Sequence, residues 1–384
     1  MKFATKTVHS GQEPDSETGA VMPPIYMTST YAHESPGVTK GYDYTRAGNP
    51  NFTRLETLLA ALEDGKYATV FSSGIGAETG FLMTMQQGDK IVAIDGLYGG
   101  TYRLFMKVFQ KFGLQFELVN INESQKLRAA LAAKPKWLFF ETPTNPLLEI
   151  IDIECLVQLA KQHGVRTIVD NTFSSPYFQN PLALGADAVL HSTTKYIGGH
   201  SDVIGGVIIT NDEQLKNDLD FARKAIGLNP SPFDAWLTTR GVKTLAIRME
   251  QHQKNALAVV EFLKKHSEIV KKIYYPGLET HHEHETARKQ MKGFSGIISV
   301  EFHLSIEETK QLISSFEIFT LAESLGGVES LVCHPATMTH ASIPKEEREK
   351  SGLSDGLVRF SVGIEDQEDL IKDFEQAFAK IKNK

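Results

Sequence analysis

From about residue 47 onward, hydrophobic positions follow two alternating rhythms. Short apolar runs recur at YATVF (67–71), KIVAID (90–95), FELVNI (116–121), KWLFFE (136–141), RTIVD (166–170), AVLH (188–191) and GGVIIT (205–210). Most are separated by helix-length segments. NFTRLETLLAALED places Leu55, Leu58, Leu59 and Leu62 on one helical face, and ESQKLRAALAA and IECLVQLAKQHG follow later. Buried strands alternating with helices predict an α/β fold: a mostly parallel seven-stranded sheet flanked by helices.

The two ends read differently. Residues 1–46 are rich in Thr, Ser, Gly and Pro without sustained periodicity, which predicts an extended arm. Near residue 248 the texture changes to a long helix (RMEQHQKNALAVVEFLKKH), then GIISVEFHL, VRFSVGI and EDLIKDFEQAFAKIK. In the last piece Leu370, Ile371, Phe374, Phe378 and Ile381 form a stripe that reads as core. A chain of 384 residues exceeds what one core usually serves. The expected organisation is an arm (1–46), a large domain (47–247) and a smaller α+β C-terminal domain (248–384).

Composition acts mainly by exclusion. A net charge of −7 leaves no footprint for nucleic acid or an anionic membrane. Two cysteines, Cys155 and Cys333, are too few for a disulfide framework. Cys155 reads as core within an apolar helix, and Cys333 as a thiol near the expected pocket. The N-terminus lacks an apolar secretory segment, and no stretch of about 18 uncharged apolar residues occurs. A cytoplasmic protein is expected.

The candidate chemistry lies where the runs end. In DAVLHSTTKYIGGHSD (187–202) a buried run ends at His191, and Ser192, Thr193, Thr194 and Lys195 follow at once. Ligands of open α/β sheets sit beyond the carboxyl ends of the strands. A lysine beside hydroxyls there suits a carbonyl cofactor carrying a phosphate: the amine forms a Schiff base, while Ser192 and Thr194 donate to phosphate oxygens. A lone lysine would be a solvated loop residue, but this one has company. RTIVDNTFSSP ends another run at Asp170, the acid that a protonated pyridine nitrogen requires. ATVFSSGIGAETGFLMTMQ (68–86) reads as strand, Ser-Ser-Gly, helix, a backbone setting for phosphate. In DGLYGGTYR (95–103), Tyr98 follows a strand, so its ring can cover a flat cofactor and its hydroxyl can move protons. No GxGxxG is present, which argues against a dinucleotide-binding oxidoreductase.

Together these pieces resemble the cystathionine γ-synthase, γ-lyase and β-lyase family, pyridoxal-phosphate enzymes of fold type I. So do VHSGQEPDSETGAVMPPIYMTSTY, GYDYTRAGNP, ETPTNPLLEIIDI, TLAESLGGVESLVCHPATMTHASIP and LVRFSVGIED; the likeness runs from about residue 8 to 366. The resemblance implies that Lys195 carries the cofactor and shuttles protons, Asp170 binds the pyridine nitrogen and Tyr98 stacks on the ring. It gives the phosphate to the N–H groups of Gly74 and Ile75 with Ser192 and Thr194, and to Tyr44 and Arg46 reaching a neighbouring subunit. Asn145, Ser324 and Arg359 fall near the substrate α-carboxylate, with Glu323 and Arg103 as further substrate contacts. The implied substrates are cystathionine, cysteine or an acylated homoserine, and the implied assembly is a homotetramer of paired dimers.

The chain departs from the family pattern in places. Asn51 and Phe52 replace the usual Thr-Arg after GNP; Asn51 still suits an N-cap. Gly100 and Glu323 replace the Cys and Val of methionine γ-lyases, and Glu323 and Leu325 replace the Tyr and Trp of one β-lyase group. Ala47 replaces an Arg of some γ-synthases. The expected activity is γ-elimination or γ-replacement at the C–S bond of cystathionine, with cystathionine β-lyase or an O-acylhomoserine sulfhydrylase as alternatives. An aminotransferase would share the fold, and a non-catalytic cofactor-binding scaffold is the rival from another class. His281, His282 and His284, in the polar THHEHE, read as a solvated surface without closed zinc spacing, so no metal is expected. IPKEEREK reads as an exposed loop or helix.

Overall fold

The computed structural model describes residues 1–339, 346 and 352–382. By contacts the chain forms two units. Met1–Asp95, Gly100–Glu141 and Ile153–Ala246 make the first; Gly96–Gly99, Thr142–Asp152 and Ile247–Lys384 make the second.

Each of the seven apolar runs is a strand of the first unit: β1 (Tyr67–Phe71), β2 (Lys90–Ile94), β3 (Gln115–Val119), β4 (Trp137–Glu141), β5 (Arg166–Asp170), β6 (Ala188–Ser192) and β7 (Gly206–Thr210). Their order is β1-β7-β6-β5-β4-β2-β3. β3, β2, β4, β5 and β6 run parallel, whereas β7 runs antiparallel to both β6 and β1. The sheet is therefore mixed. The reversal follows from the link between β6 and β7, which contains no helix to carry a parallel crossover.

Local chemistry sets the flanking helices. α1 (Phe3–His9) lies within the segment expected to be wholly extended. It is two turns long and buries only Thr7, too short a pattern for periodicity to register. In α2 (Pro50–Leu62) all four leucines of the expected stripe are buried. Its N-cap is Asn49, whose side chain accepts from the Asn51 N–H, and Pro50 opens the helix. Asn51 is thus inside the helix and not its cap. Its amide pins the incoming arm instead: Oδ1 accepts from the Tyr26 N–H at 2.8 Å, and Nδ2 donates to the Pro24 carbonyl at 2.9 Å. Phe52 is buried, with the Arg223 guanidinium 5.9 Å from its ring centroid. Helix Ile153–Gln162 buries Ile153, Leu156, Val157 and Ala160. Cys155 points off that stripe and is exposed, contrary to its reading as core.

The second unit has a five-stranded sheet. β8 (Val270–Tyr274), β9 (Ile297–Phe302), β10 (Thr320–Leu321), β11 (Leu331–Cys333) and β12 (Leu357–Ser361) are ordered β10-β11-β12-β9-β8. GIISVEFHL and VRFSVGI supply β9 and β12. Their inner faces pack against Val259 and Leu263 of the long helix and Leu370, Phe374 and Phe378 of the C-terminal helix. Ile371 and Ile381 lie against this core, partly buried. Apart from Glu346, IPKEEREK lies outside the described residues. Among those described, no helix is long and apolar enough to cross a membrane.

Asn51→Ala leaves a partly buried N–H and carbonyl of the arm without their Asn51 partner, at a cost of about 1 kcal/mol. The expected outcomes are a lower thermal midpoint and faster chymotryptic cleavage at Tyr26, read by gel and mass spectrometry.

Candidate functional site

In the first unit, β4, β5 and β6 end side by side at Glu141, Asp170 and Ser192. The registers pair Glu141 with Asp170 and Asp170 with Leu190. Because β7 returns antiparallel, its first residue, Gly206, pairs with both Ser192 and Phe71, which brings the end of β1 to the same edge. The chain then passes from β1 through Ser72 and Ser73 into α3 (Gly74–Leu82), whose N-cap Ser73 accepts from the Gly76 N–H.

Two glycines make this crossing feasible. A Cβ on Gly206 would lie 2.2 Å from the Ser73 carbonyl oxygen, and one on Gly74 would lie 3.0 Å from Ser192 Cβ. The result is a small cradle beside the Ser192 side chain. As the first two helical residues, Gly74 and Ile75 have N–H groups that precede the intrahelical ladder, at the positive end of the helix. Thr194 is held in the turn after β6: its hydroxyl donates to the Gly205 carbonyl at 3.2 Å and accepts from the Gly205 N–H at 3.1 Å. Lys195 is in the same turn and partly buried, its N–H donating to the Ser192 carbonyl at 3.2 Å.

Asp170 is buried at the tip of β5. The Thr172 N–H donates to its Oδ1 at 2.9 Å, and Thr172 Oγ1 accepts from the Ser192 N–H at 2.9 Å, which ties the carboxylate to the end of β6. Beneath it lies a buried polar layer. His191 Nε2 bonds Glu63 Oε1 at 2.6 Å, and Asn171 Nδ2 donates to the same oxygen at 3.1 Å. Burial raises the Asp170 pKa, opposed by the Thr172 bonds and the His191 charge.

The second unit contains the other candidates. Arg359, on β12, is buried; its Nη1 donates to Asn145 Oδ1 at 2.9 Å and its Nη2 to the Ser324 carbonyl at 2.8 Å. Asn145 is steadied through the next residue, whose carbonyl accepts from Ser299 Oγ at 2.6 Å. Ser324 has φ +85°, a left-handed conformation that costs a non-glycine residue about 1–3 kcal/mol and turns its carbonyl to the guanidinium. Glu323, beside it, is exposed. Tyr98 falls in this unit, 43% exposed.

A family model for Cys/Met metabolism PLP-dependent enzymes matches residues 4–379. The chain belongs to this family. It is 49% identical to cystathionine beta-lyase of Coxiella burnetii over 97% of either protein. It is 47% identical to cystathionine gamma-lyase of Dictyostelium discoideum, covering 99% of this chain and 98% of that one. Among solved structures, cystathionine gamma synthase of Xanthomonas oryzae pv. oryzae in complex with cystathionine superposes with a TM-score of 0.96 at 44% identity, covering 100% of this chain and 99% of that chain.

As a member of this family, the protein is a pyridoxal-phosphate-dependent enzyme, and its first unit fits that cofactor. The Gly74 cradle, closed to any larger side chain, matches a phosphate, and the buried Asp170 carboxyl is suited to a cationic partner. Arg103 ends a short helix, Gly99–Arg103, with its side chain exposed. Tyr44 and Arg46 line a cavity of about 390 Å³ with Met27, Ser29 and Asn229. The Arg46 guanidinium is 5.5 Å from the Tyr44 ring centroid and donates to the Lys224 carbonyl at 3.0 Å.

Cys333 pairs with Arg359 in the β11–β12 register, and burial pushes its thiol up, which disfavours a nucleophilic role. The histidine cluster is less solvated than its sequence suggests, since His284 is buried and its Nδ1 meets the Pro276 carbonyl at 2.8 Å. His281, His282 and Glu283 are the one group among the described residues with metal-like spacing. His281 makes a poor ligand, however. Its Nδ1 accepts from the Glu283 N–H at 3.2 Å, and it also bonds the Leu148 backbone.

Two residues escaped the sequence reading: Thr172, described above, and Glu78. Glu78 is buried in α3, and its Oε1 accepts from Thr101 Oγ1 at 2.9 Å. Burial, then the Asp170 charge, raise its pKa to about 8, against the Thr101 bond. An acid raised in the folded state stabilises the fold fully below its unfolded value near 4.5, and that contribution fades as pH rises to about 8. Glu78→Gln is therefore expected to flatten the decline of the apoprotein's thermal midpoint between those limits. The effect is on the order of 3–5 kcal/mol, read by calorimetry across pH.

Proposed function

We propose that this enzyme makes or cleaves the C–S bond of cystathionine by chemistry at the γ-carbon. The observation that carries the reading is the Arg359 anchor. A buried guanidinium, oriented by Asn145 and the Ser324 carbonyl, offers a two-pronged contact to an α-carboxylate, and Glu323 directly precedes Ser324 in the chain. Cystathionine has an amino-acid group at each end, so one carboxylate suits Arg359 and the distal ammonium suits Glu323. Arg103 is assigned to substrate as well.

When bound, pyridoxal phosphate supplies an electron sink for negative charge at Cα. The phosphate is assigned to Ser192, Thr194 and the N–H groups of Gly74 and Ile75. Asp170 keeps the ring nitrogen protonated. Tyr98 is assigned to cover the ring, and as the phenolate it would accept a proton from the substrate ammonium and become the neutral phenol. Lys195 holds the cofactor and then carries protons between carbon positions of the substrate. Tyr44 and Arg46 are assigned to the phosphate of a neighbouring copy in a homotetramer of paired dimers. The exposure of Val21, Met27 and Tyr44 along the arm supports that assignment. A cytoplasmic setting fits a chain of two cysteines.

The similarity to the Coxiella beta-lyase favours a second reading, β-elimination, with the same residues and a different bond broken.

Product analysis separates them. The γ reading expects 2-oxobutyrate and cysteine from cystathionine, or cystathionine from an acylated homoserine plus cysteine; pyruvate with homocysteine would establish the β reading instead. Glu323→Gln is expected to raise KM for cystathionine about tenfold and leave KM for an acylated homoserine, which lacks the second ammonium, nearly unchanged.

A further inference from the structure

We propose that Glu78 is a positioning residue for the cofactor ring, a buried carboxyl that responds to the charge on Asp170 and so couples cofactor loading to release of a proton. This rests on the assignment of Asp170 to the ring nitrogen.

The geometry begins with α3. Gly74 meets Ser192, and Glu78, one turn later, lies on the same face of the helix. Glu78 is 3% exposed. One of its oxygens accepts from Thr101, and the other, Oε2, is buried with no hydrogen-bond partner among the described residues. A carboxylate held this way would be a second buried anion close to Asp170, so the group is kept neutral in the unloaded protein.

Four elements bring ionisable groups to Asp170. Glu78 comes from α3, and the Asp170 charge favours its neutral form. His191 comes from β6 and supports the Asp170 charge, and is itself bonded to Glu63 at the end of α2. Glu141 ends β4 in register with it. Coupling between two sites is reciprocal. If the Asp170 charge holds the proton on Glu78, a cation that neutralises Asp170 loosens that proton. A protonated ring nitrogen is such a cation. The phosphate assigned to Gly74 and Ile75 acts in the opposite sense, but its charge is met by the N-terminal N–H groups of α3, so loading releases part of a proton to solvent near pH 8, and ionised Glu78 in turn strengthens the hold on the ring.

The test uses the full-length apoprotein and pyridoxamine phosphate, which keeps the ring and phosphate but has an amine where the aldehyde would react with Lys195. Dissociation constants are measured by calorimetry between pH 6.5 and 9 for the wild type and Glu78→Gln. The expected ratio, variant over wild type, is near one at the acid end and rises about three- to tenfold at the alkaline end. The wild type also releases more protons near pH 8, measured in buffers of different ionisation enthalpy. A ratio independent of pH with equal proton release overturns the proposal. Thr101→Val gives a second route should Glu78→Gln fold poorly: it removes the donor, so the window must move to higher pH, and an unmoved window counts against the proposal. In an Asp170→Asn background the effect of Glu78→Gln must vanish. If Asp170→Asn alone binds as tightly as wild type, the assignment of Asp170 fails instead.

Discussion

A carboxylate at the end of a buried strand carries a large desolvation cost, and Asp170 meets it with few compensations. The Thr172 side chain and amide bond it directly, and the His191 charge acts as well. The Asp170 charge in turn keeps the buried Glu78 protonated. A carboxyl buried in this way is suited to a cationic partner, and much of the surrounding structure holds it in place. The His191–Glu63–Asn171 layer fixes the ends of β5 and β6, and Thr172 joins the acid to Ser192.

The reversal of β7 does the rest. By running antiparallel it brings Gly206 to the edge where β6 and β1 end, so the loop into α3 can cross within contact of Ser192. The helix N-terminus, the hydroxyl of Ser192 and the turn bearing Lys195 then converge near Asp170. The cradle depends on the absence of side chains at two glycines as much as on the groups that line it. In the second unit the left-handed Ser324 and the buried Arg359 play corresponding parts, one turning a carbonyl so that the other is oriented.

Much of this was legible in the sequence because strands buried on both faces leave unbroken apolar runs. The residue ending each run, such as Asp170 or Ser192, is thereby flagged at the ligand-binding edge. What escaped did so for definable reasons. Apolar runs do not encode strand direction; the missing helix between residues 192 and 206 was the available signal for β7. Pro50 marked the first turn of α2 and so pointed to Asn49 as the cap, although Asn51 has equal chemical aptitude. Cys155 lies among apolar neighbours but off the stripe that Ile153, Leu156 and Val157 define. Lys271 and Lys272 interrupt β8, and β10 is two residues long, so neither leaves a pattern. Glu78 reads as an ordinary polar helical position; only its spacing of four from Gly74 hinted that it shares a face with the cradle.

The central claim is that a buried acid on β5 holds a proton on the cofactor's ring nitrogen. The most direct measurement is the ¹⁵N chemical shift of ring-labelled pyridoxal phosphate bound to the wild-type enzyme between pH 6.5 and 8.5. The account predicts the shift of a protonated nitrogen throughout that range. The shift of an unprotonated nitrogen in the loaded enzyme would contradict it.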